Sequence, residues 1–300
     1  MKVLIVGGVA GGMSAATRLR RLMEDAEIIV LEKGPYVSFA NCGLPYFIAG
    51  EITTRDQLLL QTPESLKARF GLDVRPNQEV LAIHPEQKTV TIHRDSETYE
   101  ESYDKLILAP GAKAIIPKIP GLDRATNCRQ LRNVPDMDAI LQKIDQHTRQ
   151  AVVVGAGFIG LEMAESLKNR GLEVTVVEKA SQVLPSMDEE MAAYVKNELI
   201  AKGIKVITGQ SAVSFEEEGK KIRLEDDTVL DSDLTLLSIG VQPESRLAAE
   251  AGITTGIRGG ILVDENYQTS QKDIYAVGDA IVTKQQLTGE DALISLASPA

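Results

Sequence analysis

The sequence has no tryptophan, and only two cysteines and three histidines among 300 residues. Two cysteines, Cys42 and Cys128, make no disulfide framework of the kind that staples small secreted domains. His84, His93 and His147 lie in or near charged stretches without metal-ligand spacing, so they read as surface residues and no metal site is expected. Positive charge is also short. There are 32 Lys and Arg against 43 Asp and Glu, and the net charge of -11 argues against a nucleic-acid partner. Low-complexity tracts and long single-sign charge runs are missing. So are apolar runs long enough to span a bilayer: residues 3–17 and 34–50 are uncharged, but both are too short and are broken by glycine or proline. The first follows Lys2 and ends near Ala15 and Ala16, which mimics a secretory signal, yet its glycines fit a phosphate loop better than an apolar signal core. The reading is a cytoplasmic protein with no membrane partner.

What is there is ordinary for a globular protein, 43% hydrophobic and 25% charged, with length enough for two domains. One strand–turn–helix–strand pattern occurs twice. Residues 2–6 form an apolar run ending at Gly7; a helical stretch follows from Gly12 to Met23, and a second run, Ile28 to Leu31, stops at Glu32 and Lys33. The second copy runs from Ala151 to Val154 and turns at Gly155. Its helix, Phe158 to Arg170, has Gly171 placed as a C-terminal cap, and its next strand, Val174 to Val177, stops at Glu178 and Lys179. Such units pair their strands in parallel, so the expected fold is α/β with two Rossmann-like domains. Residues 72–108 read as a small antiparallel meander ending in the strand Leu106 to Leu108, and residues 133–147 as a helix. Further strands are expected at 205–207, 221–224 and 234–239, and two short ones within 260–280, where the first domain resumes. The expected domains are therefore 1–115 with 245–300, and an inserted 116–244.

The second loop, Gly155-Ala-Gly157-Phe158-Ile159-Gly160, is a full GxGxxG. Its first glycine makes the tight turn, its second lets the backbone approach a pyrophosphate, and its third lets helix and strand pack closely. The helix start then offers free N–H groups to the phosphates. Glu178 ends the next strand, where a carboxylate accepts hydrogen bonds from ribose hydroxyls and repels a 2'-phosphate; that favours NADH over NADPH, with Lys179 blurring the distinction. The first loop, Gly7-Gly8-Val9-Ala10-Gly11-Gly12, has Val9 where the pattern wants a glycine, and Glu32 as its acid. Alone it competes with an ordinary β–α turn; repetition of the second unit strengthens it. A strand ending in Gly278-Asp279 places a carboxylate where a ribitol chain, present in FAD and absent from NAD, finds an acceptor; the alternative is a turn aspartate. Cys42 lies in Ser38-Phe-Ala-Asn41-Cys42-Gly-Leu-Pro45-Tyr, with Asn41 placed as a helix N-cap and Pro45 in the first turn. That setting lowers a thiol's pKa, although most unpaired cysteines are small buried hydrophobes. No CxxC or CxxxxC partner exists, so a dithiol mechanism is excluded. Arg18 and Arg21 share one helix face, either solvated or placed to grip phosphates.

The motifs VGGVAGG at 6–12, SFANCGLPY at 38–46, LILAPGA at 106–112, VVVGAGFIGLE at 152–162 and IYAVGDA at 274–280 resemble those of the pyridine nucleotide–disulfide oxidoreductases with a single redox cysteine. The nearest resemblance is to the branch of coenzyme A-disulfide reductases and NADH-dependent CoA-persulfide reductases. It implies that Gly7, Gly8, Val9, Ala10, Gly11, Gly12, Glu32, Lys33, Val80, Ala109, Gly278 and Asp279 hold FAD. Gly155, Gly157, Ile159, Gly160, Glu178 and Gly240 would hold NADH or NADPH, with Phe158 as the aromatic gate of the nicotinamide pocket. Ser14, Arg18 and Arg21 would line the site of a CoA-linked sulfur substrate, and Cys42, with Ser38 and Asn41 orienting the sulfur, would be the redox centre. Ala10 replaces the histidine that the related NADH peroxidases and oxidases carry, which points to a thiol-level substrate. CoA disulfide and CoA persulfide or polysulfide both remain open, and an NADH oxidase is the competing activity. The resemblance also implies a C-terminal dimerisation domain and a homodimeric full-length form. The chain stops 21 residues after Asp279, so that domain is expected to be absent, and a truncated cofactor-binding fragment with little turnover is the remaining alternative.

Overall fold

A computed structural model of the protein describes residues 1–294; positions 295–300 of the expected segment 245–300 lie outside them. Two compact units emerge. Unit 1 comprises Met1–Ala40, Leu59–Lys113 and the chain from Gln242 on; unit 2 comprises Asn41–Leu58 and Ala114–Val241. Residues 41–58, inside 1–115 by sequence, thus pack with the second unit. The helices in chain order are α1 (Ala10–Leu22), α2 (Leu44–Ala49), α3 (Pro63–Phe70), α4 (Val134–Lys143), α5 (Phe158–Asn169), α6 (Glu189–Ala201) and α7 (Arg246–Glu250). Among the described residues no helix is long and apolar enough to cross a membrane.

Each unit is built on a five-stranded parallel sheet. In unit 1 the order is Ile274–Ala276, Lys105–Leu108, Lys2–Val6, Glu27–Leu31, Asp73–Arg75. In unit 2 it is Cys128–Arg129, Leu234–Leu237, Gln150–Val154, Glu173–Glu178, Lys205–Thr208. The central strands are buried on both faces, as continuous apolar runs in parallel sheets require: Val3, Leu4 and Ile5 are at most 2% exposed, and Val152 and Val153 at most 1%. Each unit adds a three-stranded antiparallel sheet in the same place in the chain. In unit 1 it is Gln78–His84, Thr89–Arg94 and Glu97–Ser102; in unit 2 it is Ala212–Glu216, Lys221–Leu224 and Val229–Asp231. The pairing of Ile274–Ala276 with Lys105–Leu108 returns the chain to the first sheet, so the second unit is an insertion.

Two sequence expectations shift. The helix expected at 133–147 ends at Lys143, because the Asp145 carboxylate accepts from the backbone N–H groups of His147 (2.7 Å) and Thr148 (3.0 Å) and turns the chain out of the helix. The strand expected at 234–239 ends at Leu237, and Gly240 adopts φ 113°. Gly171, as expected, takes the left-handed conformation (φ 85°) just after α5.

Candidate functional site

The two glycine loops match bond for bond. Gly7 N–H donates to Leu31 O and Gly155 N–H to Val177 O, both at 2.8 Å. Both glycines have positive φ, 106° and 103°, and a Cβ on either would strike a backbone carbonyl: Ala109 O at 2.1 Å, or Ser238 O at 2.4 Å. The third glycine of each loop lies under its first. A Cβ on Gly12 would sit 1.9 Å from Gly7 O, and one on Gly160 2.1 Å from Gly155 O. These contacts leave room for hydrogen only, which is why helix and strand can cross so closely.

The acids repeat as well. The Glu32 carboxylate accepts from the N–H groups of Gly8 and Gly34, both at 2.7 Å. The Glu178 carboxylate accepts from those of Ala156 (2.6 Å) and Ala180 (2.8 Å). Each oxygen receives one backbone donor, so each carboxylate is fixed at its loop with acceptor capacity to spare for a pair of hydroxyls. Correspondingly, α1 and α5 have no side-chain cap and no acid in the first turn. The other long helices differ: Thr62 and Ser65 form a capping box on α3, the Asn133 side chain caps α4, and α6 opens with Glu189 and Glu190. An uncapped helix start keeps its N–H groups for an anion.

Two differences mark the loops. At the middle position, Val9 has φ -108° and Gly157 φ -76°, so neither backbone demands glycine; a Cβ on Gly157 would meet nothing within 4 Å. The glycine there keeps space open for a ligand. In unit 1, Gly278 lies against α1: a Cβ on Gly11 would be 3.4 Å from the Gly278 Cα. The first and third sequence motifs therefore meet, with Asp279 beside the start of α1.

The other predicted cofactor residues fall around these loops. Ala109 N–H donates to Val6 O at 2.8 Å. Val80 is buried at 7% exposure, in a strand whose start is tied to Glu32 by Gln78 N–H···Glu32 O (3.0 Å). Lys33 is exposed, and Ala10 opens α1. Phe158 and Ile159 stand 64% and 36% exposed at the start of α5. In unit 2 a cleft of about 620 Å³ is lined by Gly155, Gly157, Glu178, Gly240 and residues that the motifs did not single out, among them Gln210, Ser211, Ala212 and Ser238. The Ser211 and Ser238 hydroxyls are buried without a hydrogen-bond partner. Their signal lay in the repeat. Gln210 N–H···Glu178 O (3.1 Å) mirrors the Gln78–Glu32 bond, so Ala212 stands where Val80 does; Ser238 N–H···Val154 O (2.8 Å) mirrors the Ala109–Val6 bond. A cleft with bare N–H groups, a fixed carboxylate, an open glycine and orphaned hydroxyls fits a dinucleotide. So does the unit 1 loop with its acid and Gly278-Asp279 turn.

Ser14, Arg18 and Arg21 are exposed on α1, whereas Arg20 is consumed locally, its Nε donating to Phe70 O at 2.9 Å. In unit 1, Ser38 has φ 47° and its N–H donates to Gly8 O at 2.9 Å, which ties the start of the cysteine segment to the first loop. Cys42 is exposed. Asn41 does not cap α2 as expected: a single 3₁₀ turn, Asn41–Gly43, intervenes, so Gly43 takes the cap position and no side chain bonds there. Pro45 does lie in the first turn of α2. Cys128 is different. It is half-buried, and burial pushes its thiol up to about 11, against the opposing pull of Thr235 and Arg129.

The pyridine nucleotide-disulphide oxidoreductase family matches residues 1–298. A coenzyme A disulfide reductase of Staphylococcus haemolyticus is 36% identical over 99% of this chain and 67% of its own length. An NADH oxidase of Methanocaldococcus jannaschii is 36% identical over 98% of this chain and 66% of its own. Among solved structures, reduced Bacillus anthracis CoADR-RHD superposes with a TM-score of 0.98 at 51% identity, covering 99% of this chain and 54% of that one. An NAD-dependent persulfide reductase from A. fulgidus gives 0.96 at 36% identity, covering 100% and 57%. The chain thus spans about two thirds of the curated relatives it matches and little more than half of these two solved chains.

Proposed function

Because the chain belongs to the pyridine nucleotide-disulphide oxidoreductase family, we propose that it serves FAD-dependent, NAD(P)H-driven reduction of CoA disulfide or CoA persulfide through Cys42. The observation that carries this reading is the bond-for-bond duplication of an uncapped, acid-flanked glycine loop, together with an exposed cysteine outside the repeat. The unit 1 loop, with Glu32 and the Gly278-Asp279 turn, is assigned to FAD. The unit 2 cleft, with Gly157 and Glu178, is assigned to the nicotinamide dinucleotide, and the Glu178 carboxylate favours NADH by repelling a 2'-phosphate. FAD held there would supply two-electron transfer between NAD(P)H and a sulfur.

The chain's own residues supply binding and thiol chemistry. The N–H groups at the starts of α1 and α5 hold pyrophosphate, and Glu32 and Glu178 accept from ribose hydroxyls. Ser14, Arg18 and Arg21 form the face assigned to CoA phosphates, with Arg able to pair bidentately. The Cys42 thiolate attacks one sulfur of the substrate S–S bond, forming a mixed disulfide while the other sulfur leaves as a thiolate and takes a proton. The mixed disulfide at Cys42 is the group to which a bound flavin would supply two electrons; Cys42 would return to the thiolate and the second sulfur would leave as a thiolate that takes a proton. Ser38 and Asn41 are assigned to orient the sulfur. Ala10 offers no proton at the position where an imidazole would serve oxygen or peroxide chemistry.

A steady-state assay with CoA disulfide, CoA persulfide and oxygen as competing acceptors tests this. Cys42→Ser is expected to keep bound flavin and lose thiol release. Thiol release at the unsubstituted rate in that variant, or oxygen uptake exceeding thiol release in the unsubstituted protein, would overturn the assignment.

A further inference from the structure

The short helix that follows Cys42 receives a guanidinium on the carbonyls of its far end. The last turn of α2 leaves carbonyls without helical partners, as every helix end does. Arg170, just past the end of α5, reaches this end: its Nε donates to Ile48 O, and its Nη2 to Phe47 O at 3.5 Å, a carbonyl that also accepts from the Gly50 N–H at 3.1 Å. Beside it Asn169 Nδ2 donates to Glu51 Oε1 at 3.4 Å, and the Arg170 guanidinium lies 3.7 Å from the place a Cβ on Gly50 would take. Gly50 itself is left-handed (φ 87°), closing the helix so that these carbonyls face the arginine. Farther along the chain, past α2, Arg55 Nη2 pairs with the Asp138 carboxylate of α4 at 2.5 Å. All of these residues belong to unit 2.

α2 is only six residues long, and Leu44, Pro45 and Ile48 are its buried anchors. This rod of under two turns packs on α5 and α4, so its tilt and rotation are set jointly by those buried anchors and by the two-armed guanidinium on its carbonyl end. Cys42 sits in the 3₁₀ turn that runs directly into this rod. A small rotation of α2 therefore carries the thiol with it.

We infer that Arg170 is a positioning residue for Cys42, acting through the C-terminal carbonyls of α2. The inference rests on Cys42 being the redox centre for its catalytic consequence, but not for its structural one. A 12-residue helix separates Arg170 from the Gly155–Gly160 loop, a span of about 18 Å, so dinucleotide binding should not feel its loss.

The test compares Arg170→Ala, Arg170→Gln and Arg170→Lys in the flavin-loaded protein. Four readouts are taken: melting temperature, NADH affinity, the pH profile of Cys42 alkylation by iodoacetamide, and kcat with CoA disulfide. In Arg170→Ala the alkylation profile is expected to change, with rates differing roughly threefold or more, and kcat to fall roughly tenfold while NADH affinity stays put. Arg170→Lys, which keeps a donor within reach of the carbonyls, is expected to recover most of both. If Arg170→Ala does not fold, Arg170→Gln is read in its place, because it keeps the aliphatic stem and loses the two-armed grip. An unchanged alkylation profile in the folded variant would overturn the proposal, and so would a kcat loss that merely follows lost NADH affinity. Alkylation is independent of the electron acceptor. Full turnover in Cys42→Ser would therefore sink the functional reading while leaving the Arg170 comparison to be judged by itself.

Discussion

The two units are copies, and their differences are more informative than their likeness. Strand order, glycine loop, acid and antiparallel sheet recur in the same sequence along the chain. Even the strand starts agree. Asp104 accepts from Lys2 N–H at 2.6 Å, and Asp233 from Gln150 N–H at 2.9 Å. What recurs is what an adenosine pyrophosphate needs. What departs carries everything else. Between the second strand and the next long helix, unit 2 uses residues 179–188, whereas the first copy uses residues 32–62, and that longer path leaves unit 1 at the Phe39–Leu59 bridge and includes Cys42. The outer edge strand also differs: residues 274–276 follow the other strands of their five-stranded sheet in the chain, while residues 128–129 precede theirs. The repeat gives each unit a glycine loop and an acid of the same form, and the stretch that lengthens one copy carries the exposed Cys42.

The strongest way to break this symmetry is to place a methyl under one loop at a time. Gly12→Ala and Gly160→Ala each drive a Cβ into a backbone carbonyl, at 1.9 Å and 2.1 Å. Each is expected to cost about 3 kcal/mol of stability. Gly12→Ala should lose flavin, and Gly160→Ala should lose NADH binding while flavin stays. Flavin content and NADH titration check both. A milder change makes the second loop resemble the first. Gly157→Val enters open space at a φ that valine accepts, so the melting temperature should hold. NADH affinity should drop roughly tenfold, or about 1.4 kcal/mol. The reverse change, Val9→Gly, should leave flavin affinity nearly untouched.

A third comparison concerns charge. At equivalent positions before the edge strands, unit 1 has Asp273 and unit 2 has Asn127, and both carbonyls accept from the neighbouring strand at 3.0 Å, from Leu106 and Thr235. Asn127 is satisfied neutrally, by Gly219 O and Ser232 O. Asp273 is held by Lys105 and Lys88, which keep its carboxyl at about 2 instead of the usual 3.8. A lowered folded-state pKa adds stability that is complete above the unfolded value and is lost as pH falls through the folded one. The protein should therefore lose this contribution between about pH 4 and pH 2, and Asp273→Asn should flatten acid unfolding in that window while lowering stability at neutral pH. The smallest effect is expected from the two cysteines. At neutral pH iodoacetamide should label exposed Cys42 and spare Cys128, whose thiol burial keeps protonated. Peptide mapping reads this directly.

Much of this architecture was legible in the sequence. Gly7, Gly12, Gly155 and Gly160 announce themselves because only glycine fits beneath a carbonyl 2 Å away. Glu32 and Glu178 follow because strands stop at them. The second half of the repeat was harder to see. Asp73–Arg75 is three residues long, too short to show a period, and the bonds that equate Gln78 with Gln210 and Ala109 with Ser238 are made by backbone, which leaves no mark on residue type. Ser211 and Ser238 read as ordinary loop residues until a cleft is seen around them. The packing of residues 41–58 with unit 2 was also hidden, because Arg170 lies far from Ile48 in the chain.

The division of labour between the loops is tested most directly by exchanging one acid at a time. In Glu32→Gln and Glu178→Gln, an amide NH₂ replaces one acceptor oxygen and opposes a backbone N–H now held at 2.6–2.8 Å, which costs about 1–3 kcal/mol in the affected site. Flavin retention and NADH affinity are to be measured on both variants. Glu32→Gln should weaken flavin binding roughly 10- to 100-fold and leave NADH affinity unchanged, and Glu178→Gln should do the opposite. If either substitution weakens both ligands equally, or each weakens the other's ligand, the two loops do not hold the dinucleotides assigned to them.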